Sequence, residues 1–122
     1  MATITIYILI YLLFAHYVAD FVLQSRWMGE GKSKKWLPLL SHIAVYTTTL
    51  GLFTYPIHTS YGWWVYFVCW NAFCHLCIDS YTSRLARVCY ESGKMGAFWK
   101  VIGFDQFLHG MCIFASMGAL FK

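Results

Sequence analysis

Charge is what this sequence has least of: five acidic and nine basic side chains among 122 residues, with a mean hydropathy of +0.56. Soluble globular domains carry about 25% charged residues, whereas here the share is 11% against 60% hydrophobic. That balance excludes an ordinary soluble domain and predicts a single transmembrane domain over residues 1–122. No Lys or Arg precedes the first apolar run and no small-residue cleavage site follows it, so the opening segment is expected to stay as a helix and not to be a removed signal peptide. The five cysteines are odd in number, and four of them (Cys69, Cys74, Cys77, Cys112) lie in apolar runs, which excludes a disulfide scaffold. A phosphate-binding loop is missing too: Gly31-Lys32-Ser33 imitates its tail, but Arg26 stands where the first glycine belongs. Ser41 adjoins His42 yet points about 100° away on a helix, so no acyl-transfer triad forms. No repeat, low-complexity tract or basic-aromatic groove is present, and nucleic acid is excluded as a partner.

Four apolar stretches remain, roughly residues 3–23, 37–55, 63–79 and 101–120, each near the length of about 20 that a bilayer demands. The expected fold is all-α, an integral membrane four-helix bundle. Gly29, Gly31 and Pro38 punctuate the first connection, Pro56 and Gly62 the second, Gly93 and Gly96 the third. The first and third connections hold four basic residues each and the second holds none. The positive-inside rule puts both basic connections in the cytoplasm and both termini on the non-cytoplasmic side. A multi-pass protein of the bacterial inner membrane is the expectation, with anionic lipid headgroups as partners of the basic surface. The third helix is expected to run on toward residue 90 or to lie on the membrane surface there, with Arg87 and Glu91 as an i,i+4 pair. Trp27, Trp36, Trp63, Trp64 and Trp99 fall near helix ends, at headgroup level.

Within this apolar frame every aspartate has a histidine four residues away: His16/Asp20, His75/Asp79 and Asp105/His109. Chance would supply such a partner to one aspartate about 8% of the time, and to all three about once in two thousand. Residues four apart differ by about 40° on a helix, so each pair shares a face. With His42 at the start of the second helix, seven ligand-type side chains are expected in one layer within roughly 10 Å of the cytoplasmic boundary, with His42 at its edge. Asn71 shares the His75/Asp79 stripe, Gln24 extends the His16/Asp20 stripe, and Gln106 adjoins Asp105. These three amides are expected to support the bound cofactor as hydrogen-bond partners of its ligands. Cys112, on the Asp105/His109 face, is a weaker candidate ligand. His58, in the second connection with no carboxylate nearby, is expected to be a solvated loop residue.

An ionised aspartate in hydrocarbon costs roughly 2.5 to 3.5 kcal/mol on insertion scales, so three of them need compensation. A divalent metal offers it while using neutral imidazole as ligand. The expected ligands are His16, Asp20, His42, His75, Asp79, Asp105 and His109. They exceed the roughly four that one zinc takes, so one or two ions are expected: zinc first, manganese or iron as alternatives. Asp20 and His42 are the candidate catalytic groups, His42 as a further ligand or as acid and base.

The run His16-Tyr-Val-Ala-Asp20-Phe21-Val-Leu23-Gln24, then His42, His75-Leu-Cys-Ile-Asp79 and Asp105-Gln106-Phe-Leu-His109, in that order over nearly the whole chain, resembles the small bacterial and phage membrane proteins grouped as domain of unknown function 3307. The resemblance implies membership and brings no activity. A fainter similarity is to inner-membrane metal-dependent hydrolases, which also place His and Asp in apolar helices.

The expected function is a membrane-embedded metal-dependent hydrolase acting on a lipid phosphoester or ester at the cytoplasmic leaflet. Two readings from other classes compete: a proton or metal-ion transport protein, and a non-catalytic phage or bacterial membrane factor. For the last, the 20% aromatic content would serve a homo-oligomer or a membrane-protein partner. Iron-based oxidation with the same ligands is a further alternative.

Overall fold

The computed structural model describes residues 2–122, and Met1 lies outside the described residues. The chain is all-α, with no strand among those residues. Four long helices carry the fold: α1 (Ala2–Tyr17), α3 (Trp36–Thr54), α4 (Tyr61–Glu91) and α5 (Met95–Ser116). A short α2 (Arg26–Gly31) sits in the first connection. Helix α4 packs along both α3 and α5, and α1 closes against α3 and α5.

The helix ends follow local chemistry. Ser25 caps α2, its hydroxyl accepting from the Met28 amide at 3.3 Å. Gly31 then lets α2 approach the start of α3, since a Cβ there would lie 2.6 Å from Pro38. Helix α4 ends at Gly93, whose φ of +70° places it in the left-handed region that glycine adopts at no steric cost. The Lys94 amide closes that cap on the Cys89 carbonyl at 2.9 Å.

Several boundaries differ from those expected. The first helix is α-helical only to Tyr17 and ends in a π turn, Val18–Val22, with the Leu23 amide bonded to the Val18 carbonyl at 3.0 Å. Helix α5 starts at Met95, six residues before the expected 101: residues 95–100 hold no proline, and Gly96, in the first turn, does not stop the helix. The third helix does continue, to Glu91. The expected Arg87–Glu91 pair is not made; no ion pair within 4.0 Å joins them, and Arg87 Nε is buried without a hydrogen-bond partner.

Two segments, Thr3–Val22 and Trp36–Ile57, are long and apolar enough to cross a membrane by length and composition. Helices α4 and α5 fall short of that mark because Asn71, His75 and Asp79 interrupt one and Asp105, Gln106 and His109 the other. The radial distribution of side chains is inverted relative to a soluble protein. Ile4, Ile10, Phe14, Leu40, Leu52, Phe73, Phe104, Phe107 and Phe114 are exposed, while every aspartate and four of the five histidines are buried. An apolar core survives in one half, where Leu12, Leu50, Phe67, Ile113 and Leu120 meet between the helices.

Candidate metal centre

Each long helix turns one polar stripe inward, and the stripes meet at one level. His16 and Asp20 come from the end of α1 and its π turn, His42 from the second turn of α3, His75 and Asp79 from the middle of α4, and Asp105 and His109 from α5. All seven are between 0% and 8% exposed. The π turn contains Asp20, and its wider backbone geometry rotates that carboxylate away from the position an uninterrupted helix would give it. His16 Nε2 stands 3.6 Å from Asp20 Oδ2, and His42 Nε2 lies 2.9 Å from Asp20 Oδ1.

His42 is therefore central and not at the edge. Its Nε2 also lies 3.0 Å from His75 Nε2 and 3.4 Å from Asp79 Oδ2; His75 Nε2 is 3.3 Å from both Asp20 Oδ1 and Asp79 Oδ2. A tetrahedral ion bound at about 2.0 to 2.1 Å separates its ligand atoms by about 3.3 Å. Three of the five distances match that edge length, and the other two, at 2.9 and 3.0 Å from His42 Nε2, fall a few tenths of an ångström short of it. The four residues form one of three groups whose ligand atoms all lie within 4.8 Å of one another; the others are His16, Asp20, His109 and Asp79, Asp105, His109.

These groups overlap through shared carboxylates. Asp20 gives Oδ1 to His42 and His75 and turns Oδ2 toward His16; Asp79 gives Oδ2 to the same pair and turns Oδ1 toward His109 Nε2, at 3.5 Å. Both Asp79 Oδ1 and His109 Nε2 are buried without a hydrogen-bond partner. Buried polar atoms rarely go unmatched, and these two face each other across a gap suited to a cation. The donor set, the edge lengths and the orphaned atoms all fit a divalent ion, so the buried His and Asp groups could hold one.

Gln106 joins the network: its Oε1 meets His16 Nε2 at 2.9 Å, and its amide donates to Asp20 Oδ2 at 3.0 Å and Asp105 Oδ2 at 2.8 Å. Asn71 lies farther along α4, donating to the Phe67 carbonyl and to Ser116 Oγ, both at 2.9 Å. Gln24 lines a pocket beside the cluster with its Oε1 unpaired. No cysteine, Cys112 included, enters the three groups among the described residues. His58 is half-buried in the second connection, its ring Nδ1 paired with the Tyr55 carbonyl.

Three participants were not foreseen. Lys32 reaches back from the first connection to donate to Asp79 Oδ2 at 2.8 Å. Burial works against its ammonium, but Asp79, Asp20 and Asp105 outweigh that and hold its pKa above the ordinary lysine value. Thr82 donates to Asp105 Oδ1 at 2.5 Å, and the Tyr46 hydroxyl lies 3.1 Å from His16 Nδ1. Tyr46 and Thr82 had a sequence signal, the first one turn after His42 and the second near Asp79; Lys32 had none, because its reach depends on the fold of α2.

A cavity of about 520 Å³ opens beside the cluster, with Asp20, Asp105 and Gln106 on its inner wall and Lys34, Arg87 and Glu91 toward its rim. Both basic connections thus meet at one opening.

No curated protein and no solved structure matches the chain, so the fainter likeness to metal-dependent hydrolases gains no support from them. A family does. The residues that build the cluster run from His16 to His109, and the model of the family described as protein of unknown function (DUF3307) matches residues 8–122, all of them included: the chain belongs to the DUF3307 family.

Proposed function

We propose that this protein is a bacterial inner-membrane hydrolase in which four helices span the bilayer, both termini are non-cytoplasmic, and a divalent-metal centre faces the cytoplasmic leaflet. The inverted side-chain distribution supports the membrane placement, since exposed Phe, Ile and Leu suit lipid and buried ionisable groups mark function there. The observation that carries the catalytic reading is the pair of bridging carboxylates. Asp20 and Asp79 each share in the closed four-ligand group and also in one further group that contains His109, Asp20 with His16 and Asp79 with Asp105, and these border the cavity through Asp20, Asp105 and Gln106. Closed positions suit structural ions and open ones suit chemistry.

His42, His75, Asp20 and Asp79 would hold the first ion, which we assign as zinc; His16, His109 and Asp105 would complete the second position. Bound divalent metal would supply a water of near-neutral pKa and polarise an ester or phosphoester oxygen. Three carboxylates against the single Lys32 ammonium leave the cluster with a charge of −2 when the imidazoles are neutral. One divalent ion balances it, and a second leaves positive charge for an anionic substrate. Gln106 holds His16 and both flanking carboxylates in place.

Ion transport fits the same ligands, but the outer half counts against it. Leu12, Leu50, Phe67, Ile113 and Leu120, all 0% exposed, close the interior beyond the cluster. Elemental analysis of purified protein tests the proposal: one to two equivalents of zinc, manganese or iron, lost in Asp79→Asn, is the expected result. Protein that folds and functions in cells without stoichiometric metal sinks it.

A further inference from the structure

The outer part of the cavity carries a polar group that the metal centre does not use. Arg87 lies eight residues beyond Asp79 on α4, about 12 Å along the axis, and helical side chains lean toward the N-terminus, here back toward the cluster. Its Nε is buried with no hydrogen-bond partner, and Glu91, one turn on, forms no ion pair with it. A guanidinium stays charged in any protein environment, and a buried donor without an acceptor is costly. Lys34 lines the same cavity with an exposed side chain. Of the other charges there, Asp20 and Asp105 belong to the metal-ligand cluster on the inner wall, Lys32 is committed to Asp79 and Glu30 to Arg26, leaving Arg87 and Lys34 against Glu91 in the outer part. Phe21, Phe98, Ile102 and Ala86 complete the wall.

Resting on the hydrolase reading above, we propose that this cavity is a binding site for a phosphate ester with an apolar portion, its phosphate held by Arg87 and Lys34 and its apolar part by Phe21, Phe98 and Ile102. The guanidinium fork matches two phosphate oxygens at once, and Lys34 adds a second cation for a group bearing more than one unit of charge. About 520 Å³ lies within the range of small-ligand sites and accommodates a headgroup. The apolar wall favours a lipid phosphoester over a soluble one.

The test uses the full chain in phosphatidylcholine nanodiscs, titrated with short-chain phosphatidic acid, glycerol 3-phosphate and inorganic phosphate, with metal content measured in parallel. The lipid is expected to bind at least about tenfold tighter than glycerol 3-phosphate. Arg87→Ala should weaken it about ten- to a hundredfold, the effect of a lost charge-assisted hydrogen bond; Arg87→Lys should recover part, and both should keep their metal. Lys34→Gln should weaken binding several-fold and keeps the test valid if Arg87→Ala does not fold. Equal affinity for glycerol 3-phosphate would reassign the ligand to soluble phosphoesters and overturn the lipid assignment. Metal-loaded protein indifferent to both Arg87→Ala and Lys34→Gln overturns the site itself. Metal-free protein that still binds the phosphoester through Arg87 would instead defeat the hydrolase reading and leave this site standing.

Discussion

The two halves of this molecule are equally buried and held together by opposite means. Beyond the cluster, Leu12, Leu50, Phe67, Ile113 and Leu120 fill the space between helices, assisted by single hydrogen bonds such as Trp64 Nε1 to Thr54 Oγ1 at 3.0 Å. In the other half the same helices present seven His and Asp side chains, each of which is expensive to bury. In the membrane setting proposed above, the apolar half would gain no hydrophobic drive from association, only packing. The polar half gains what its hydrogen bonds return, and would gain more from a bound cation. One half can be altered by degrees; the other is complete or broken.

The largest effect should follow from Asp79→Asn. Asp79 joins His42, His75 and Lys32 through one oxygen and faces His109 with the other. Losing even a hydrogen-bond partner of a ligand typically costs 10- to 100-fold in metal affinity, so on the proposed reading, in which Asp79 is a bridging ligand, its loss should cost more than about 100-fold. Competition with a chelator of known affinity measures it. Retained affinity would show that the two halves do not differ as described.

Phe67→Ala probes the apolar half. In water-soluble cores such truncation costs about 3 to 5 kcal/mol. With lipid as the alternative surrounding, mainly the cavity contribution remains, and a loss below about 3 kcal/mol is expected, with metal content unchanged. Reversible unfolding in mixed micelles reads the first, elemental analysis the second. Loss of metal in this variant would mean that the halves are one cooperative unit.

Gln106→Leu would separate the two metal positions proposed above. Its amide touches His16, Asp20 and Asp105 but neither His42 nor His75 in any recorded bond. Zinc titration should therefore become biphasic, the weaker phase falling about tenfold and the tighter one holding. A uniform fall in both phases would rule out two distinct positions.

Much of the polar half was legible because helical spacing alone puts His75 with Asp79 and Asp105 with His109. What spacing could not supply was partnership across helices. Asp20 lies nearer to His42 than to His16, a result of the π turn and of helix rotation, neither of which leaves a periodic mark. Lys32 was read as a topology charge, and only the packing of α2 against Pro38 turns it inward. Ser25 before an unbroken run of non-proline residues was a usable sign of α2, masked by the two glycines nearby. Helix α5 began early for the opposite reason: hydropathy marks where a helix enters lipid, and Met95 to Lys100 is helical without being apolar enough to register.

The smallest difference comes from a matched pair of single hydrogen-bond deletions. Thr82→Val removes the hydroxyl that bonds Asp105 Oδ1, and Trp64→Phe removes the indole donor to Thr54. The Thr82 hydroxyl has one proton and two acceptors in reach, the Ile78 carbonyl at 2.8 Å and the Asp105 carboxylate, and the charged acceptor takes the stronger bond. Asp105 keeps its Gln106 partner when Thr82 is lost, and Thr54 keeps the Leu50 carbonyl when Trp64 is changed. Thr82→Val should thus cost only about 0.5 to 1.5 kcal/mol of stability, and Trp64→Phe more, because it also removes ring volume packed against the apolar core. They should part company on metal affinity, which Thr82→Val lowers a few-fold by loosening Asp105 and Trp64→Phe leaves alone. Parallel unfolding and zinc-competition curves decide it, and equal metal affinity in the two variants would remove Asp105 from the working ligand set.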